Sequence, residues 1–273
     1  MAGYGDDDIA DKRVFAGRGR DVDLLVGGAD GLLRVSVSGA LVGSFGLVHH
    51  GAIRDVAADD EQVAIATATD VFVADRAPGT ELEFEPTGLG PAGAVSIRAG
   101  LRATDGSEVC HYDGGWERTA TLVGVSAIDG ALVATSAGVF RADGSPLGLE
   151  ECADIDSSAA PLAATAAGLY RLGNGWMAIP ETADERIRVV TSANGDGRAL
   201  AAGERLYERA AEDAAGWRAV ELPARLVGLA LADTGYGVTE TGSLWAYDPA
   251  EDAWRSQPLG VDGVRAMALL PGR

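Results

Sequence analysis

The chain of 273 residues is poor in lysine, histidine, cysteine and aromatic side chains. Lys12 is its single lysine beside 21 arginines, while Asp and Glu together number 41, for a formal net charge of −19. Without a basic tract to displace counterions from phosphates, a nucleic-acid partner is not expected. The two cysteines, Cys110 and Cys152, could form at most one disulfide and read as buried free thiols. Only His49, His50 and His111 could supply imidazole, with no recurrent Cys/His spacing, so neither a metal nor a cofactor is expected. No apolar run approaches the ~18 residues of a membrane helix, and the opening MAGYGDDDIADKR is acidic, unlike a signal peptide. A cytoplasmic location and no membrane contact follow as expectations. Helical periodicity is almost missing, with Ala210–Ala215 as the one stretch that could make a turn of helix.

Hydrophobic residues make up 47% of the chain and glycines number 38, which suits a folded protein rich in turns. The acidic, lysine-poor balance keeps a surface hydrated and self-repelling, as in halophiles. One pattern organises the rest. Leu132 to Gly144, LVATSAGVFRADG, reads as a β-hairpin turning at Ser136-Ala137-Gly138, and it returns as LAATAAGLYRLGNGW from Leu162 to Trp176. Its turn residue recurs at Gly31, Asp70, Gly106, Gly138, Gly168, Gly203 and Gly242, in steps of 30 to 39 residues. Asp70 stands in for glycine as a residue that tolerates the left-handed region. A short apolar strand precedes each hairpin or closes the chain: Ile53–Val56, Val95–Arg98, Val123–Ser126, Asp154–Asp156, Ile187–Val190, Val227–Leu229 and Val264–Met267. Trp116, Trp176, Trp217 and Trp254 begin a fourth strand after several hairpins, where they are expected to pack between repeats.

Four-stranded units repeated radially make an all-β fold, the β-propeller, here with seven blades. Six is the alternative, because the unit around 145–160, with its polar ECADIDSSAA, is the weakest. The first hairpin lacks an inner strand and the last inner strand lacks a hairpin, so the C-terminal strand is expected to close the ring on the N-terminal hairpin. The whole chain, 1–273, reads as one domain, with residues 1–12 as a disordered acidic lead-in.

Thr239 to Trp254, TETGSLWAYDPAEDAW, resembles a Kelch unit, and LYRLGNGW and VCHYDGGW resemble the Asp-box hairpin of sialidase-like propellers. The segments GLLRVSVSG (31–39) and GSFGLVHHGAIRDVAAD (43–59) carry a resemblance to a family of uncharacterised haloarchaeal β-propeller proteins, which implies the fold and no particular activity.

No catalytic constellation emerges: a sialidase-type site needs a tyrosine on an inner strand, and none falls there. The chain is therefore read as non-enzymatic, with a propeller-type hydrolase or lyase as the lowest alternative. Two groups of residues are candidate ligand contacts. His49 and His50 sit in the connection into the second inner strand, although adjacent histidines point apart and suit no metal. Aligned inner strands place Arg54, Arg188 and Arg265 at one register, IRDV, IRVV and VRAM. They either ring a channel mouth and hold an anion or small ligand, or pair with neighbouring Asp55, Asp154 and Asp156. The leading expectation is a monomeric protein-interaction scaffold with a protein partner in a halophilic archaeal cytoplasm; anion binding at the arginines is the alternative.

Overall fold

Short apolar runs that end in threonine and resume at glycine form the hairpin seen most plainly in two repeats. Strands Leu132–Thr135 and Gly138–Arg141 pair Leu132 with Arg141 and Thr135 with Gly138. Strands Leu162–Thr165 and Gly168–Leu172 repeat that register, Leu162 with Arg171 and Thr165 with Gly168. The turn glycines are needed for space as well as dihedral freedom. At Gly138 φ is 126°, and an added Cβ would stand 2.1 Å from the Leu149 carbonyl oxygen; at Gly168 φ is 135°, and Thr182 O would be 2.9 Å away. A buried threonine three residues earlier ties the turn: the hydroxyls of Thr135 and Thr165 donate to the carbonyls of Gly138 and Gly168, each at 2.8 Å. Asp70 does this work differently from the sequence expectation. It is not among the left-handed residues; its carboxylate accepts from the amides of Val71, Gly88 and Gly90.

The computed structural model describes residues 21–77, 80–193, 197–210, 216–222 and 224–271. The lead-in 1–12, with Lys12, and most of the helical stretch at 210–215 lie outside them. The described residues build seven four-stranded antiparallel sheets. Blades are numbered here in chain order of their hairpins. The inner strands of blades 2 to 7 are Ile53–Ala58, Ala94–Ser96, Val125–Asp129, Cys152–Asp156, Val189–Ser192 and Leu226–Leu231. Blade 1 holds Asp21–Gly27, Gly31–Ser38 and Leu41–His50, and takes its inner strand, Ala266–Leu270, from the far end of the chain. This closing strand pairs antiparallel with the first, Leu24 opposite Leu269 and Gly27 opposite Ala266. Each inner strand touches the next all the way round, so the ring is complete with seven blades, not six.

The unit that looked weakest is a full blade. Its inner strand is polar because Asp154 and Asp156 are turned to the next blade, accepting from the amides of Val190 and Ser192. Apolar side chains pack at the joints as well: Leu25, Leu32, Ile53 and Ile65 bury one another between blades 1 and 2, and Leu162, Leu169, Ile187 and Tyr207 do so between blades 5 and 6, beside those aspartates. The outer-strand tryptophans pack back onto the preceding blade. Trp116 donates to the Thr87 hydroxyl (3.1 Å) and Trp176 to the Leu147 carbonyl (3.0 Å), while Trp217 and Trp254 join the clusters between blades 5 and 6 and between 6 and 7. Both cysteines are buried free thiols. Among the described residues no helix is long and apolar enough to cross a membrane.

Candidate functional site

The inner strands enclose a channel of about 900 Å³. Its geometry follows from one repeated backbone bond. The amides of Ile53, Ala92, Val125, Ile187 and Val264 each donate to a carbonyl of the preceding blade, those of Gly28, Thr67, Gly106, Thr165 and Glu240. The residue after each therefore occupies an equivalent place: Arg54, Gly93, Ser126, Arg188 and Arg265, with Ala153 and Val227 supplied by the remaining blades. In blades 2, 4, 5 and 7 a bulge at this residue interrupts the ladder, the device by which a strand re-aims a side chain.

Arg54, Arg188 and Arg265 thus share one register and line the same channel. They stand on blades 2, 6 and 1, so the cations fill one arc of the mouth. Blades 3, 4 and 5 present only Gly93, Ser126 and Ala153. None of the three arginines bonds to Asp55, Asp154 or Asp156. Arg54 donates to the Ala92 carbonyl at 3.1 Å. Arg188 comes within 3.7 Å of Glu204, and its enclosed Nη1 has no partner. Arg265 is exposed, with no side-chain hydrogen bond or ion pair among the described residues.

The aspartates are engaged with backbone instead. Asp55 accepts from the amides of Val56 and Val95 (2.8 and 2.9 Å), and Asp154 from those of Ile155 and Val190 (both 2.9 Å). Burial pushes the Asp55 carboxyl up to about 6 and the Asp154 carboxyl up to about 7, against the pull of those amides. Two residues further along, Ser96, Asp129 and Asp156 accept from the amides of Gly130, Ser157 and Ser192 on the next blade. At that level Arg98 bridges Asp129 and Ser158.

His49 and His50 are not in the connection into blade 2. The outer strand of blade 1 runs on to His50, which pairs with Gly31, and only Gly51 and Ala52 remain as linker. The His49 ring packs against Phe72 and Phe84, at 5.2 and 5.1 Å between centroids, and burial, then the neighbouring His50, lowers its pKa. Neither histidine borders the channel.

That outer strand is itself a second surface of note. Leu41–His50 is the longest outer strand, ten residues, and residues 41–48 carry no charge. Leu41, Phe45 and Leu47 are 72%, 44% and 41% exposed. The other outer strands are two to six residues long, and four of them carry a charged side chain. The LVGSFGLV run in a chain of this acidity is the sequence feature that could have revealed it.

A family described as HVO_0234-like beta propeller matches residues 8–270. No curated protein matches the chain. Among solved structures, apo AztD from Citrobacter koseri is similar over 89% of this chain and 83% of its own, at 13% identity and a TM-score of 0.57. YCF48 bound to D1 peptide is similar over 75% and 82%, at 16% identity and a TM-score of 0.53. Virginiamycin B lyase from Staphylococcus aureus is similar over 80% and 91%, at 11% identity and a TM-score of 0.57. At such identities these likenesses concern the fold alone.

Proposed function

The chain belongs to the HVO_0234-like beta-propeller family, named for a haloarchaeal protein, and from that premise we propose a non-catalytic binding propeller whose partner is another protein. The observation that carries this is the outer strand of blade 1. It is a free sheet edge, long, uncharged and apolar, in a chain whose net charge of −19 otherwise keeps surfaces apart. Such an edge suits an extended, uncharged segment of a partner that adds a fifth strand, with pockets beside Leu41 and Leu47 reading alternate side chains. The same fold seats a peptide in YCF48. A non-catalytic role agrees with the work the channel carboxylates do, since Asp55 and Asp154 each accept two backbone amides and join one blade to the next. The acidic, lysine-poor composition suits a halophilic cytoplasm.

The test is affinity capture at multimolar salt, comparing the natural chain with a Phe45→Arg/Leu47→Glu variant. Both positions are exposed, so folding should be unchanged. A protein retained by the natural chain and lost by the variant supports the reading; identical captures overturn it.

A further inference from the structure

We propose that the arginine arc of the channel mouth is a binding site for a compact, multiply charged oxyanion, phosphate or carboxylate in chemistry. This site is independent of the outer strand, and either assignment can fail alone.

The argument starts from how this chain treats its other arginines. Acid outnumbers base by 41 to 22, and many arginines have found carboxylates: Arg34 with Asp23, Arg118 with Glu108, Arg205 with Glu185, Arg218 with Glu208 and Arg255 with Glu251. At the mouth the acids closest in sequence are committed elsewhere. Asp55 follows Arg54 directly and is spent on Val56 and Val95. The result is three guanidinium groups at one register with little of their donor capacity used. Arg54 makes one bond to a carbonyl, Arg188 reaches the exposed Glu204 at 3.7 Å and keeps an enclosed Nη1 without a partner, and Arg265 keeps all of its donors. A buried donor left unmade is costly, and native proteins rarely keep one unless a ligand or water completes it.

The rest of the mouth fits an occupant. At this register the small residues on blades 3 to 5 leave room opposite the cations; the aspartates of the channel on that side, Asp129, Asp154 and Asp156, accept from backbone amides. The channel's volume of about 900 Å³ lies within the range of small-molecule sites. Guanidinium forks match the oxygen spacing of carboxylate and phosphate, and three of them arranged along an arc favour several negative charges over one. Salt screens simple attraction, whereas paired hydrogen bonds from planar forks retain selectivity for oxyanions.

The full chain is titrated with sulfate, inorganic phosphate, pyrophosphate and citrate at constant ionic strength and followed by thermal shift and calorimetry. Saturable stabilisation by pyrophosphate or citrate, exceeding that by the simpler ions, is expected. The pyrophosphate and citrate arms decide between a phosphate and a carboxylate source. Arg265→Gln touches no existing side-chain bond and should weaken binding roughly tenfold, the scale of one charge-assisted contact. Arg54→Gln/Arg188→Gln/Arg265→Gln should abolish the saturable response, and Arg118→Gln, on an outer strand, should leave it intact. If the triple variant does not fold, Arg265→Gln decides alone. No saturable response to any anion, or equal affinity in Arg265→Gln, overturns the site.

Discussion

All seven joints bury apolar side chains, but one arc of the ring adds polar links that the other lacks. From blade 2 to blade 6 the inner strands are stitched by side-chain acceptors: Asp55 to Val95, Ser96 to Gly130, Asp129 to Ser157, and Asp154 and Asp156 to Val190 and Ser192. Across blades 6, 7 and 1 the places equivalent to Asp55 hold Val189, Gly228 and Ala266, and the joints are apolar. Leu24, Val26, Val35, Tyr236, Val238, Leu244, Val264 and Met267 pack in one cluster at the closure. Oriented acceptors fix one blade against the next at chosen distances and depend on protonation. An apolar joint is indifferent to pH and depends on the closing strand being present.

The largest effect should come from breaking the closure. Removing Val264–Leu270 takes away the strand opposite Asp23–Gly27 and exposes the side chains packed with it, Leu24, Leu25, Val26 and Ile53. At ~2 kcal/mol for each of the larger side chains, with the ladder lost as well, the penalty approaches the ~5–15 kcal/mol that holds a typical domain folded. We expect no cooperative thermal transition by circular dichroism. A retained sharp transition would mean that the stitched arc is stable without a closed ring.

This closure was legible in the sequence because it is a matter of counting: an opening hairpin without an inner strand and a final strand without a hairpin. The hairpins were legible because turn glycines at Gly138 and Gly168 are dictated by a carbonyl pressing on the turn. The stitching was not. Asp55, Asp154 and Asp156 read as partners for the arginines, since sequence shows charge but not that an inner-strand carboxylate faces a neighbour's amide. The same blindness made blade 5 look weak. Arg54, Arg188 and Arg265 could be aligned, because register is periodic, but that none of them pairs with Asp55, Asp154 or Asp156 needed coordinates. The histidines were misplaced because the outer strand of blade 1 runs to His50, past the usual length of its counterparts.

The stitched arc should carry the pH response. Asp55 and Asp154 sit at about 6 and about 7, both raised by burial from a usual 3.8. A carboxyl raised in this way binds its proton more tightly in the folded state. Stability is therefore greatest below about 4 for these two groups and declines as pH rises to about 7. Asp156, also raised by burial, adds to the decline, His49, lowered by burial, opposes it as pH rises to about 6.5, and Asp105 and Asp143, held below their usual range by hydrogen bonds from Glu108 and Ser145 among others, act below that window. Between pH 5 and pH 8 we expect a loss of about 4 kcal/mol from the two groups together, seen as a lower urea midpoint. Asp55→Asn/Asp154→Asn keeps one of the two acceptor oxygens at each site and sets an NH2 against the second amide, so it should lower stability at every pH and flatten the slope. An unchanged slope would place the titration elsewhere.

The smallest effect sharpens the contrast from the apolar side. Tyr236 lies almost fully buried at the joint of blades 7 and 1, and its hydroxyl donates to the Gly39 carbonyl at 2.9 Å. Tyr236→Phe keeps the ring and its packing and removes only that bond. Gly39 lies in a turn that water reaches, so its carbonyl can be satisfied without the tyrosine. The cost should be about 1 kcal/mol, or roughly 2–4 °C in Tm. Burial holds the phenol proton up to about 12, so this cost should be the same at pH 5 and pH 8. A penalty that changed over that range would couple the closure to the carboxylates across the channel and erase the division between the two arcs.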